Sequence, residues 1–146
     1  MGQFRFPLDN VLRWRTIELA RENATLQRLV QEKAQIDAML DRLAMERNTL
    51  SGSIGALPEL RGTDLRAMAA YGLRLRQHVE KLLDARARAI HNLALQQKQY
   101  AQAKLRVRLV EELRARRLER WHYEEARQLE TLAAESYLAG WNRDEP

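Results

Sequence analysis

Cysteine is missing altogether from this chain of 146 residues, which excludes disulfides, thiolate metal sites and a cysteine nucleophile. Proline occurs three times, glycine six times and aromatic residues nine times, so turns are few and a large aromatic core is ruled out. No apolar run approaches the roughly 18 residues that a membrane span needs. The opening Met1-Gly2-Gln3-Phe4-Arg5-Phe6-Pro7 has no signal-length apolar run, and Phe6 stands where a myristoylation signal would want Ser or Thr. A soluble cytoplasmic protein is expected. What remains is mostly Leu, Ala, Arg, Glu and Gln, the strong helix formers, with 31% charged residues.

The organising pattern is a ladder in alternating steps of four and three: Leu8, Leu12, Arg15, Leu19, Glu22, Leu26, Leu29, Lys33, Ile36, Leu40, Leu43, Arg47, Leu50, Ile54 and Leu57. Eleven of its fifteen rungs are apolar, which describes one long helix with a seam narrow enough to need a single partner helix. Pro7 suits a first-turn position and Asp9 the positive end of the helix dipole. Helix one is expected over about 7–50, a rod on the order of 65 Å at 1.5 Å per residue. The polar rungs Arg15, Glu22, Lys33 and Arg47 cost stability and help to fix register.

Residues 51–63 hold three glycines and Pro58, the only stretch dense in helix breakers, and read as a linker with room for one helical turn around Ile54 and Leu57. Thr63 or Asp64 is the expected N-cap of helix two, over about 64–137. That helix repeats Leu65, Met68, Leu75, Val79, Leu82, Leu83, Ile90, Leu93, Tyr100, Val107 and Val110, with polar breaks at Arg86 and Gln96. Folding back about residue 58 sets Leu26 near Ile90 and Leu8 near Arg108, so helix two should outrun helix one by about thirty residues. The expected fold is all-α: one domain over 1–146, an elongated antiparallel two-helix coiled-coil hairpin with the second helix overhanging.

Charge is segregated along the chain. Residues 1–60 carry eight basic and eight acidic side chains, 61–120 carry fifteen against six, and 121–146 carry two against six. A basic face can meet nucleic acid or an acidic protein. Lys104–Arg120 holds seven basic residues followed by Trp121, but Glu111, Glu112, Glu119, Glu124 and Glu125 break the run, against the interleaved platform that single strands require. A nucleic-acid-binding coiled coil is therefore the alternative, and a solvated charged face or a self-associating structural coiled coil is the plainest reading.

Catalytic signatures are lacking: no glycine-rich phosphate loop, no G-x-S-x-G, and His78, His91 and His122 spaced 13 and 31 apart. Glu119-Arg120-Trp121-His122 matches the Glu-x-x-His element of di-iron bundles, which need two copies and two further glutamate-bearing helices. No enzyme activity, metal or cofactor is expected. Arginines and large aromatics on an unpaired overhang are the usual anchors of protein interfaces.

The opening Phe4-Arg5-Phe6-Pro7-Leu8-Asp9-Asn10-Val11-Leu12-Arg13-Trp14-Arg15 resembles the start of the flagellar export protein FliJ family. Asp64 through Leu75 resembles that family's second-helix opening, and Lys104 through Leu113 and Arg117 to Tyr123 its charged carboxy-terminal helix. The resemblance implies an antiparallel coiled coil similar to the central stalk of rotary ATPases. It also implies a non-enzymatic stalk, adaptor and general chaperone component of type III export at the inner membrane. Its partners would be the hexameric flagellar export ATPase, the cytoplasmic domain of the export gate, and export chaperones. The related stalk proteins of injectisomes share that architecture. On this reading the free protein is a monomer that binds no nucleic acid, and Leu8, Leu12, Arg13, Arg15, Arg114, Arg117, Arg120 and Trp121 meet the ATPase ring. The glycines of 51–63 depart from a tight hairpin.

Overall fold

The computed structural model describes residues 2–56 and 61–144. Two helices account for nearly all of them: α1, Asp9–Ala56, of 48 residues, and α2, Gly62–Asp144, of 83 residues. The helices pack against each other as an all-α helical hairpin. By internal contacts the chain divides into unit 1, Met1–Ala20 with Gln102–Pro146, and unit 2, Arg21–Ala101.

α1 begins one turn after a tight bend in which the Asp9 amide donates to the Phe6 carbonyl at 3.1 Å and the Leu12 amide to the Leu8 carbonyl at 2.8 Å. The helix continues through Ser51–Ala56, which had been expected to lie in a linker. Leu50 and Ile54 are half-buried on the seam there, and their packing outweighs the intrinsic cost of Gly52 and Gly55, about 1 kcal/mol each relative to Ala. Leu57 and Pro58 lie outside the described residues.

Thr63 and Asp64 do not cap α2. The Arg61 carbonyl accepts from the amides of Asp64 and Leu65, each at 3.1 Å, so Arg61 is the flanking residue. Asp64 sits in the first turn, where its charge complements the dipole. At the other end α2 passes the expected stop near Tyr137 and runs through Gly140 to Asp144. Tyr137 and Trp141, one turn apart, meet edge to face across that glycine with centroids 6.3 Å apart.

In unit 2 the pairings run in opposite senses along the two helices, the mark of an antiparallel pair. Glu22 meets Gln96, Asp37 meets Arg86 and Glu46 meets Tyr71. Leu43 and Leu75 are buried, and every ladder rung from Leu26 to Ile54 is at least half-buried except Arg47. The polar rungs Glu22 and Lys33 are answered by partners, whereas Arg47 is exposed. Lys33 Nζ lies 3.1 Å from Asp37, whose other oxygen accepts from Arg86 Nε at 2.8 Å. The Lys33 hydrogen bond first, then that of Arg86, holds the Asp37 carboxyl below its ordinary range.

In unit 1 the most buried side chains are Ala103, Phe6 and Val107. Arg106 donates to Glu18 at 3.1 Å, and Arg15 to the other oxygen of Glu18 at 3.0 Å. Asp9 lies 3.4 Å from Arg114. The start of α1 thus sits about one heptad further along α2 than the expected pairing of Leu8 with Arg108.

Candidate partner-docking site

Residues 2–6 form a non-helical strap against α2 within unit 1. The chain's only two phenylalanines lie in it. Phe6 is 4% exposed, with the Arg117 guanidinium 5.8 Å from its ring centre. Phe4 stands 6.0 Å from the Trp121 ring, tilted by 58°, and the Arg114 guanidinium lies 5.6 Å from it. Pro7 explains why the strap is not helical, because the residue before a proline is pushed toward extended backbone. Extended chain rises about 3.3 Å per residue against 1.5 Å in a helix, so these few residues reach as far down α2 as Trp121.

The expected docking residues therefore fall into three groups. Arg114, Arg117 and Trp121 do not stand on an unpaired helix: they are engaged by Asp9, Phe6 and Phe4. Leu8 and Leu12 are half-buried seam residues, and Arg15 is tied to Glu18 while lying 4.6 Å from the Trp14 ring centre. Arg13, Arg117 and Arg120 are exposed and, among the described residues, without a carboxylate within ion-pair distance, Arg117 having only the Phe6 ring beside it.

The stretch of α2 without a partner begins later than expected. Trp121 and Glu125 are its last half-buried residues, and all nineteen from 126 to 144 are exposed. The sequence marks the same point: continuing the seam by threes and fours past Glu125 gives Gln128, Leu132, Glu135 and Ala139, of which Leu132 alone is large and apolar. Leu129, Leu132, Tyr137, Leu138 and Trp141 are each about half exposed or more along this end. Glu124 and Glu125 precede it, and within it Glu130, Glu135 and Asp144 stand against Arg127 and Arg143. Exposed anchors of this kind on a solvated helix suit docking against another protein.

The strap was missed as part of the site. Its signal was two phenylalanines one residue apart, before a proline, in a chain with no others. Among the described residues no cluster of three or more His, Asp or Glu is placed to hold a metal ion, and His122 packs edge-on to Trp121 with centroids 5.1 Å apart. No helix among them is long and apolar enough to cross a membrane.

Compared with known protein families, curated proteins and solved structures, the chain matches none.

Proposed function

We propose that this chain is a non-enzymatic stalk and adaptor, with a general chaperone role, in a flagellar type III export apparatus. It is a monomer when free, cytoplasmic, and peripherally associated with the inner-membrane machinery. The end of unit 1 binds the hexameric export ATPase, and other surfaces serve the export gate and chaperones. The observation that carries this reading is the end of α2: nineteen residues beyond the last packed position, bearing five large exposed apolar side chains on a solvated helix. Just before it Arg120, and further back along the pair Arg13, offer guanidinium groups suited to carboxylates on the wall of a pore. The resemblance of Phe4–Arg15, Asp64–Leu75 and Lys104–Tyr123 to FliJ-like proteins names the partner.

The test is a pull-down with a purified flagellar export ATPase, run beside titrations with duplex and single-stranded nucleic acid across a salt series. Stable ATPase association and only weak, steeply salt-dependent nucleic-acid binding are expected. Submicromolar nucleic-acid affinity near physiological salt, with no ATPase association, would replace this reading by that of a basic nucleic-acid-binding coiled coil.

A further inference from the structure

The strap of residues 2–6 lies on α2 where the packed seam ends and the exposed end begins. Its hold is made by side chains. Among the described residues its only backbone hydrogen bond outside the helices is the local turn from the Asp9 amide to the Phe6 carbonyl. Against α2 it has the burial of Phe6, the tilted contact of Phe4 with Trp121, and two guanidinium groups over the two rings. The ring–cation contacts are individually modest, the burial of Phe6 is the main hold, and none is covalent or part of a helix ladder. Removing the strap would uncover Trp121 and release Arg114 and Arg117 from their rings, joining them to Arg120 and to the exposed apolar side chains that follow.

We infer that the strap is a displaceable cover: in the free chain Phe4 shields Trp121 and Arg114 while Phe6 occupies the Arg117 guanidinium, and a partner docking at the end of unit 1 takes their place. The strap also states what the replacement must carry. Two aromatic or bulky apolar groups have to fill the positions of the rings; Asp9 of α1 stays on Arg114 at 3.4 Å, so a carboxylate on the partner would meet Arg117, which has none within ion-pair distance among the described residues. A partner lacking these would leave the cover closed, so the strap sets a threshold for docking and discriminates between surfaces. This inference rests on the proposed docking of the ATPase at that end.

The experiment compares the full chain with its Phe4→Ala/Phe6→Ala variant in two measurements. In a Trp14→Phe/Trp141→Phe background, acrylamide quenching reports on Trp121 alone. Affinity for the export ATPase hexamer is measured by interferometry on the otherwise native chain. Circular dichroism should show the same helix content in both, since residues 2–6 are outside α1 and α2. The expected result is quenching of Trp121 at least doubled, and ATPase affinity raised about tenfold, the scale of two exposed cation–π contacts no longer broken on docking. Unchanged quenching would overturn the inference, because the strap would then cover nothing. Unchanged or weaker ATPase binding with increased quenching would also overturn it, making the phenylalanines bystanders or direct contacts. Absence of ATPase binding by either protein would remove the docking reading itself, and the gate with it, a pattern distinct from binding without gain.

Discussion

Gln96 Nε2 donates at once to the Glu22 carboxylate, at 2.5 Å, and to the Glu22 backbone carbonyl, at 3.1 Å. Both residues occupy seam positions, and Gln96 is 7% exposed. A polar pair inside an apolar seam is a device for register: sliding α2 by one heptad would set Glu22 against Ala89 or Ala103 and Gln96 against Arg15 or Leu29, and break both hydrogen bonds. Gln96→Leu should therefore cost about 1–3 kcal/mol in urea denaturation, because the carboxylate loses its donor. Glu22→Leu/Gln96→Leu together should restore or exceed wild-type stability while weakening register, with extra oligomeric species on size exclusion. A Gln96→Leu single variant as stable as the wild type would show that the pair does not hold the hairpin in place.

Asp37 provides a pH-dependent contribution of known sign. Lys33 first and Arg86 next lower its pKa from the ordinary 3.8, so the folded state favours the ionised carboxyl. The stability it contributes is complete above the ordinary value and is lost as pH falls through the lowered one. Asp37→Asn should lower the melting temperature at pH 7 and flatten the melting curve's dependence on pH below about 4. An unchanged acid limb in the variant would mean that the two cations do not bear on Asp37 in solution.

Among the described residues Ala103 is the most buried hydrophobic side chain, at 2% exposure, whereas Leu109, six residues on, is 56% exposed. Hydrophobicity alone ranks them the wrong way round. Ala103→Leu should destabilise by about 1–3 kcal/mol through overpacking. Leu109→Ala should stay within about 0.5 kcal/mol of wild type. Equal effects of the two substitutions, measured by thermal melting, would contradict the seam described for unit 1.

That contrast explains what could be read from the chain and what could not. The ladder of α1 was legible because its rungs are mostly leucine against a polar background, and Leu12 through Leu43 fall on the seam as spaced. In α2 the spacing by fours and threes passes through Gly72, Ala89 and Ala103, small residues that carry little signal, while the larger Leu65, Leu83 and Ile90, taken for seam residues, are about half exposed. The end of α1 was misjudged because Gly52 and Gly55 oppose a helix locally, and Ile54 on the seam overrides them. At the candidate site the exposed arginines and aromatics of α2 were visible, but their contacts were not. Periodicity reports only on helices, and the Phe4–Phe6 strap that covers Arg114, Arg117 and Trp121 is extended chain.

The strap also changes where the chain should be cut to locate the ATPase contact. Removing everything after Ala103, the natural test if α2 were unpaired from there, would strip Val107, Arg106 and Arg114 from their partners in residues 4–18 and dissolve unit 1 along with any docking surface. Among the described residues, ending the chain after Glu125 removes only exposed ones and leaves Phe4 on Trp121. This shorter protein should keep its thermal midpoint within a few degrees, since no packed side chain is lost. Its affinity for the export ATPase should fall by tenfold or more, because Leu129, Leu132, Tyr137, Leu138 and Trp141 go together and interface energy concentrates in such anchors. Calorimetry and a quantitative pull-down on the same preparation separate the two effects. Full ATPase binding by a folded chain ending at Glu125 would move the contact off the exposed end and onto Arg13, Arg120 and the packed residues between them.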